Sequence, residues 1–146
     1  DPDTLEGAQY SLPFCLAVAA CGGAEALLPL SPEWLHRPEV TTLAAQVRMH
    51  VDPPLEACFP AETSARVCLE TTAGRFEQTV RYPLGDPANP MDRTRLISKF
   101  RRLAAGLMTP TDQDRILLAI EGLQDLENVE PILSCLRKPE VGDPVI

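Results

Sequence analysis

Two polar side chains with usable chemistry, Tyr10 and Ser11, stand next to each other immediately before a long apolar run, and one lysine, Lys99, stands within a basic stretch. A phenol and a hydroxyl at one point of the chain can donate hydrogen bonds to an oxyanion. A lysine can hold a carboxylate as a point charge. Arg93, Arg95, Lys99, Arg101 and Arg102 make the region around Lys99 basic, and helical spacing brings Arg95, Lys99 and Arg102 to one face. The following stretch carries Asp112, Asp114, Glu121, Asp125, Glu127 and Glu130, so pairing between helices is the more economical use for those arginines. No convincing general base and no nucleophile motif accompany these groups. Independent catalysis is therefore not expected, because proton abstraction needs a base in reach and cations or dipoles where charge develops.

The remaining candidate chemistry is thin. Five cysteines (Cys15, Cys21, Cys58, Cys68 and Cys135) include no Cys-x-x-Cys pair, and His36 and His50 are the only histidines. Neither a zinc site nor a disulfide framework is readable. The expectation is free thiols buried as small hydrophobes in a reducing cytoplasm, with no metal and no cofactor. A net charge of −8 opposes a phosphate backbone, so nucleic acid is not expected as a partner. The apolar stretch from Leu12 to Leu30 is broken by Gly22, Gly23, Glu25 and Pro29, and no basic flank precedes it. It fits neither a transmembrane span nor a signal peptide.

The elements that must position these groups follow from local signals. Ser11 to Cys21 is apolar nearly all round, and as a helix ended by Gly22-Gly23 it needs cover on most sides. In a 146-residue chain beginning at Asp1 without a methionine, that need suggests a piece of something larger. Ser31-Pro32 opens a short helix to about Leu35, and Pro38 opens another carrying Val40, Leu43, Ala44 and Val47. Val47, Met49 and Val51 alternate with Arg48 and His50, which predicts a half-buried strand with His50 on its polar face. Pro53, Pro54 and Pro60 predict a loop over residues 52–62. Two strands follow: Ala65, Val67 and Leu69 alternate on the first, Phe76, Val80 and Tyr82 on the second, and Ala73-Gly74 makes the turn.

Residues 83–90 read as a rigid hinge. Asn89-Pro90 then caps a helix whose stripe is Leu96, Phe100, Leu103 and Leu107. Thr109-Pro110 opens a helix with Ile116, Leu117 and Ile120, closed by Gly122, and a last helix runs from about Val129 to Leu136 before a mobile tail beyond Pro139. The class is α+β: a small antiparallel sheet with flanking helices, followed by C-terminal helices.

In this order, several segments resemble the C-terminal region of the MmgE/PrpD family, which includes 2-methylcitrate dehydratase, cis-aconitate decarboxylase and iminodisuccinate epimerase. They are Tyr10-Ser11-Leu12-Pro13-Phe14, Pro38-Glu39-Val40, the Thr71-Thr72-Ala73-Gly74-Arg75 turn, Tyr82-Pro83-Leu84-Gly85-Asp86-Pro87-Ala88-Asn89-Pro90-Met91, and Leu96 with Lys99-Phe100. The resemblance covers about residues 7 to 137. It implies a lid-type α+β domain over residues 1–85, and a helical segment over 86–146 that returns to an all-helical N-terminal domain missing from this sequence.

It further implies a lyase or isomerase acting on a small polycarboxylate, a stable dimer, and catalytic histidines that precede this region. The family's S-x-x-aromatic motif commonly ends in tyrosine and ends here in Phe14, without the hydroxyl; Phe14 at that family position and Lys99 of the basic stretch are the substrate-binding candidates, and Tyr10 and Ser11 the catalytic ones. The competing reading is a stand-alone, non-catalytic binding or regulatory module with a lid-like fold.

Overall fold

The computed structural model describes residues 2–137. The chain divides into two compact units, residues 1–95 and 96–146.

The first unit opens with two helices in quick succession, α1 (Leu5–Gln9) and α2 (Leu12–Gly22). Thr4 caps α1 by accepting from the Gly7 amide at 3.1 Å, and Ser11 caps α2 at the Phe14 amide, which satisfies donors the helices cannot pair internally. Gly23 ends α2 with φ +79°, a conformation open to glycine and rare for other residues. A tight turn over Ala24–Ala26 and another over Pro32–Trp34 lead to α3 (Pro38–Ala44). Ser31 precedes the second turn, but its side chain makes no capping bond there.

The core of this unit is small: Ala8, Phe14, Ala17, Val18, Leu30, Trp34, Leu35 and Val40, with Leu5, Ala26, Leu27, Leu43 and Ala44 packed around it. Phe14, Ala17 and Val18 lie on one side of α2, whereas Leu12, Ala20 and Cys21 are exposed. The helix is apolar all round, yet this unit covers only one of its faces.

The strand expected over Val47–Val51 does not form. No turn or bend interrupts residues 47–52, but none of them pairs with another strand. Alternation prepares a chain for a sheet, and only a neighbour makes it one. The expected loop after it holds one helical turn, α4 (Pro53–Glu56), because prolines in a first turn remove amides that have no intrahelical acceptor anyway.

β1 (Ala65–Thr71) and β2 (Gly74–Val80) form the two-stranded antiparallel sheet, in a register running from Ala65 opposite Val80 to Thr71 opposite Gly74. The turn residues are Thr72 and Ala73, one position earlier than expected. Thr71 Oγ1 accepts from the Ala73 amide, and Gly74 takes φ +135°. The register sorts the hairpin into a mainly apolar face (Ala65, Val67, Leu69, Phe76, Val80, with Gln78 opposite Val67) and a polar one (Arg66, Cys68, Glu70, Arg75, Glu77, Thr79).

Residues 82–90 fold into a compact loop. Gly85 N–H donates to Asn89 O at 2.8 Å, Asn89 N–H to Asp86 O at 2.9 Å, and the Ala88 amide to Asp86 Oδ1 at 2.8 Å. Asn89 does not cap the next helix as expected, since its side-chain amide turns back to Tyr82 O at 3.0 Å. Asp92 takes the capping role, accepting from the Arg95 amide at 2.8 Å at the start of α5 (Arg93–Ala104). Tyr82 also donates its hydroxyl to Glu62, which Ser64 and Arg81 reach from other directions.

The second unit takes up most of α5, then α6 (Pro110–Glu121) and α7 (Glu130–Leu136). Thr109 caps α6 at the Asp112 amide and donates its hydroxyl to the Asp112 carboxylate at 2.7 Å, while Gly122 closes the helix. Ala104, Gln113 and Ile116 are buried, and Leu96, Leu103 and Leu107 of the expected stripe are exposed. The expected tail beyond Pro139 lies outside the described residues.

Candidate functional site

Tyr10 and Ser11 form the elbow between α1 and α2, and its backbone is held from several sides. The Ser11 amide donates to Ala8 O at 3.1 Å and the Cys15 amide donates to Ser11 O at 2.9 Å. The Cys15 thiol adds a bond to Ala8 O at 3.4 Å, reaching carbonyls that the end of α1 leaves without a helical donor. Partial burial at this contact pushes the Cys15 thiol above its ordinary range. The sequence pattern treats Cys15 only as a small hydrophobe. Its spacing of seven from Ala8, across a Ser cap, is the signal that would have found this bond.

The elbow presents its two polar groups differently. Tyr10 is 85% exposed, and the phenol is carried on the surface. Ser11 Oγ is engaged as the acceptor of the α2 cap at 3.4 Å, which leaves its proton available to donate. Ser11 therefore has the chemistry of a hydrogen-bond donor, and among the described residues no base is bonded to it to make it a nucleophile. Phe14 has no exposed surface and belongs wholly to the core of the first unit. Its ring belongs to the core cluster with Ala8, Val18, Trp34 and Val40.

Lys99 lies on the exposed side of α5, in the second unit, and has no ion-pair partner among the described residues. Its neighbours are engaged elsewhere. Arg101 reaches Asp114 of α6 at 2.6 Å, the helix pairing anticipated from the charge pattern, whereas the Arg115–Asp112 pair at 3.3 Å lies within α6. In the first unit Arg37, Arg66, Arg75, Arg81 and Arg95 each lie within 4.0 Å of a carboxylate. Cations already matched with carboxylates do not form a prepared anion clamp.

The thiols depart from expectation. All are free, but Cys21 and Cys68 are exposed and Cys15, Cys58 and Cys135 are half-buried, because α2 is covered on one side only and Cys68 sits on the polar face of the hairpin. Among the described residues no group of three or more His, Cys, Asp or Glu side chains is gathered as metal ligands would be. No helix among them is long and apolar enough to cross a membrane.

The sequence model of the MmgE/PrpD C-terminal domain matches residues 1–125. The chain belongs to the MmgE/PrpD family. The matched stretch of this family domain takes in the Tyr10–Ser11 elbow, the hairpin, the compact 82–90 loop, α5 with Lys99, and α6. It ends before α7. As the C-terminal part of an MmgE/PrpD-type protein, the chain carries an α+β fold with a two-stranded antiparallel sheet and C-terminal helices, as its residue pattern requires.

Proposed function

We propose that this chain is the lid part of an MmgE/PrpD-type lyase or isomerase that acts on a small polycarboxylate by proton abstraction next to a carboxylate. The match to the family's C-terminal domain carries this reading. In it, residues 1–85 act as the lid, residues 86–146 return to the family's N-terminal helical domain, and the base and most carboxylate-binding cations come from that domain. Tyr10 and Ser11 supply hydrogen-bond donors at the rim of the cleft, and Lys99 supplies a charge to the substrate or to the helical domain. Phe14 serves by packing in the core of the first unit. A reducing cytoplasm suits its five free thiols.

The matched cations, the missing base and the one-sided cover of α2 all fit a lid that works only when joined to its other half. The test is complementation. The chain is mixed with a separately produced N-terminal helical domain of the family, and turnover of 2-methylcitrate, cis-aconitate and iminodisuccinate is followed. Turnover seen only in the mixture, and lowered by Tyr10→Phe or Ser11→Ala, supports the reading. A chain that stays a monodisperse, cooperatively unfolding monomer and leaves the helical domain unaffected refutes it in favour of a stand-alone binding module.

A further inference from the structure

We propose that Glu62 is a latch: its carboxylate fastens the loop over residues 82–90 to the base of the hairpin, so that loop and hairpin move as one body. The Glu62 side chain is only 18% exposed and stands where three donors converge. Tyr82 donates its hydroxyl to Glu62 Oε1 at 3.2 Å, while Ser64 Oγ lies 3.2 Å and Arg81 Nε 3.6 Å from Oε2. Ser64 precedes β1, Arg81 follows β2 and Tyr82 opens the loop, so one carboxylate ties all three. Its own backbone is anchored as well, since the Glu62 amide donates to Cys58 O at 2.9 Å, just beyond α4. A little-exposed carboxylate with both oxygens engaged is costly to release, because each partner lost leaves its charge less well solvated.

The loop makes short bonds of its own, from the Gly85, Ala88 and Asn89 amides, but these only close it upon itself. The bond that fastens it to the hairpin base runs through Tyr82. The phenol holds that residue to Glu62, and the Tyr82 carbonyl accepts the Asn89 side-chain amide at 3.0 Å, which reaches the far end of the loop. Release of Glu62 is therefore felt at Asn89, remote from it in sequence. The carboxylate beside it pushes the Tyr82 phenol above its ordinary range, so the hydroxyl remains a donor throughout the neutral pH range. In sequence this proline-rich stretch reads as a hinge; latched in this way it is an arm of the hairpin. All the bonds of the latch lie within the first unit, residues 1–95, so it does not depend on the enzymatic reading above, and only its use in a moving lid rests on that reading.

The test is backbone amide exchange of the whole chain, read at Gly85, Ala88 and Asn89. Glu62→Ala and Tyr82→Phe should each speed exchange at all three by about tenfold or more, the order expected for one hydrogen bond to a charged group. Arg81→Ala leaves the Tyr82 bond in place and should change it by less than about fivefold, as for an exposed ion pair. The double variant of Glu62 and Tyr82 should lose no more than Glu62→Ala alone, because both act through the same bond. Exchange at Val18 and Val40, and the midpoint reported by Trp34, should not move in Tyr82→Phe, which removes one oxygen atom outside the core. Unchanged exchange at the three loop amides in Tyr82→Phe would overturn the latch, since the loop would then hold by its own bonds. Losses from the two substitutions that add would overturn the single shared bond, and acceleration in Tyr82→Phe that extends to Val18 and Val40 would replace the latch with a general support of the fold.

Discussion

Replacing Gly22 with alanine pits a favourable local effect against an unfavourable packing one, and the structure says which wins. Gly22 is the last residue of α2 and does not occupy a left-handed conformation, so alanine fits its backbone and should gain about 1 kcal/mol of helix propensity. A Cβ there would lie 2.5 Å from Trp34 Cη2, 2.7 Å from Trp34 Cζ2 and 3.0 Å from Ala26 Cβ. The ring has little room to retreat. It is 9% exposed, within the core cluster, and the Arg37 guanidinium sits 4.1 Å from its centroid. Overpacking of this kind costs about 1–3 kcal/mol, and displacing the ring from Arg37 forfeits a further ~0.5 kcal/mol. The net expectation is a loss of about 1–2 kcal/mol, or roughly 4–16 °C in the melting midpoint of a unit this size.

Trp34 is the chain's single tryptophan, so its fluorescence reports on this contact alone. Gly22→Ala should lower the midpoint seen by that fluorescence and shift the native emission to the red as the ring gains water. In a Trp34→Phe background the two closest crowding atoms are gone and only Ala26 Cβ remains near, and the same glycine-to-alanine change, followed by circular dichroism, should raise the midpoint. A rise in the wild-type background, or the same effect in both backgrounds, would refute the argument that the ring sets the glycine.

Thr109→Ala removes both the cap of α6 and the hydroxyl bond to Asp112, and should cost the second unit about 1–2 kcal/mol in urea unfolding; an unmoved midpoint would show that the cap contributes nothing. The Arg101–Asp114 pair is short but exposed on both sides, so a double-mutant cycle should return less than about 1 kcal/mol and shrink in 1 M salt. Cys15 should alkylate only at a pH above the ordinary thiol range, because burial raises its pKa, and mass spectrometry against pH reads this directly. By linkage, its burial as a neutral thiol supports folding fully below the unfolded thiol's pKa, and that support is lost as pH rises toward the folded value. A Cys15→Ser chain should therefore lack that part of the alkaline loss of stability.

The features legible in the sequence are those written within one turn of chain. Ser11 before Leu12-Pro13 and Thr109 before Pro110 announce helix starts because cap, amide and carbonyl are neighbours in sequence, and both helices begin there. The hairpin is legible for the same reason, down to a turn displaced by one residue. Misreadings arise where two local solutions compete or where the partner is remote. Asn89 and Asp92 both suit a cap, and Tyr82 O decides between them by claiming the Asn89 amide. Pro53-Pro54 suits a loop or a first helical turn equally well.

The failed strand at Val47–Val51 and the one-sided cover of α2 share a deeper cause. Alternation says which residues share a face of an extended chain, and apolarity says that a helix must be covered, but neither names what lies opposite. The same gap hides the elbow chemistry: in a helix apolar all round, no periodicity indicates that Phe14 turns inward, and only packing against Val40 and Trp34 fixes that rotation and so leaves Tyr10 in solvent. The residues of this chain can thus be read one by one, while what lies opposite them shows only as unmet needs among the described residues: unpaired amides at 48–51, an arginine without a carboxylate, and an apolar helix with one bare side.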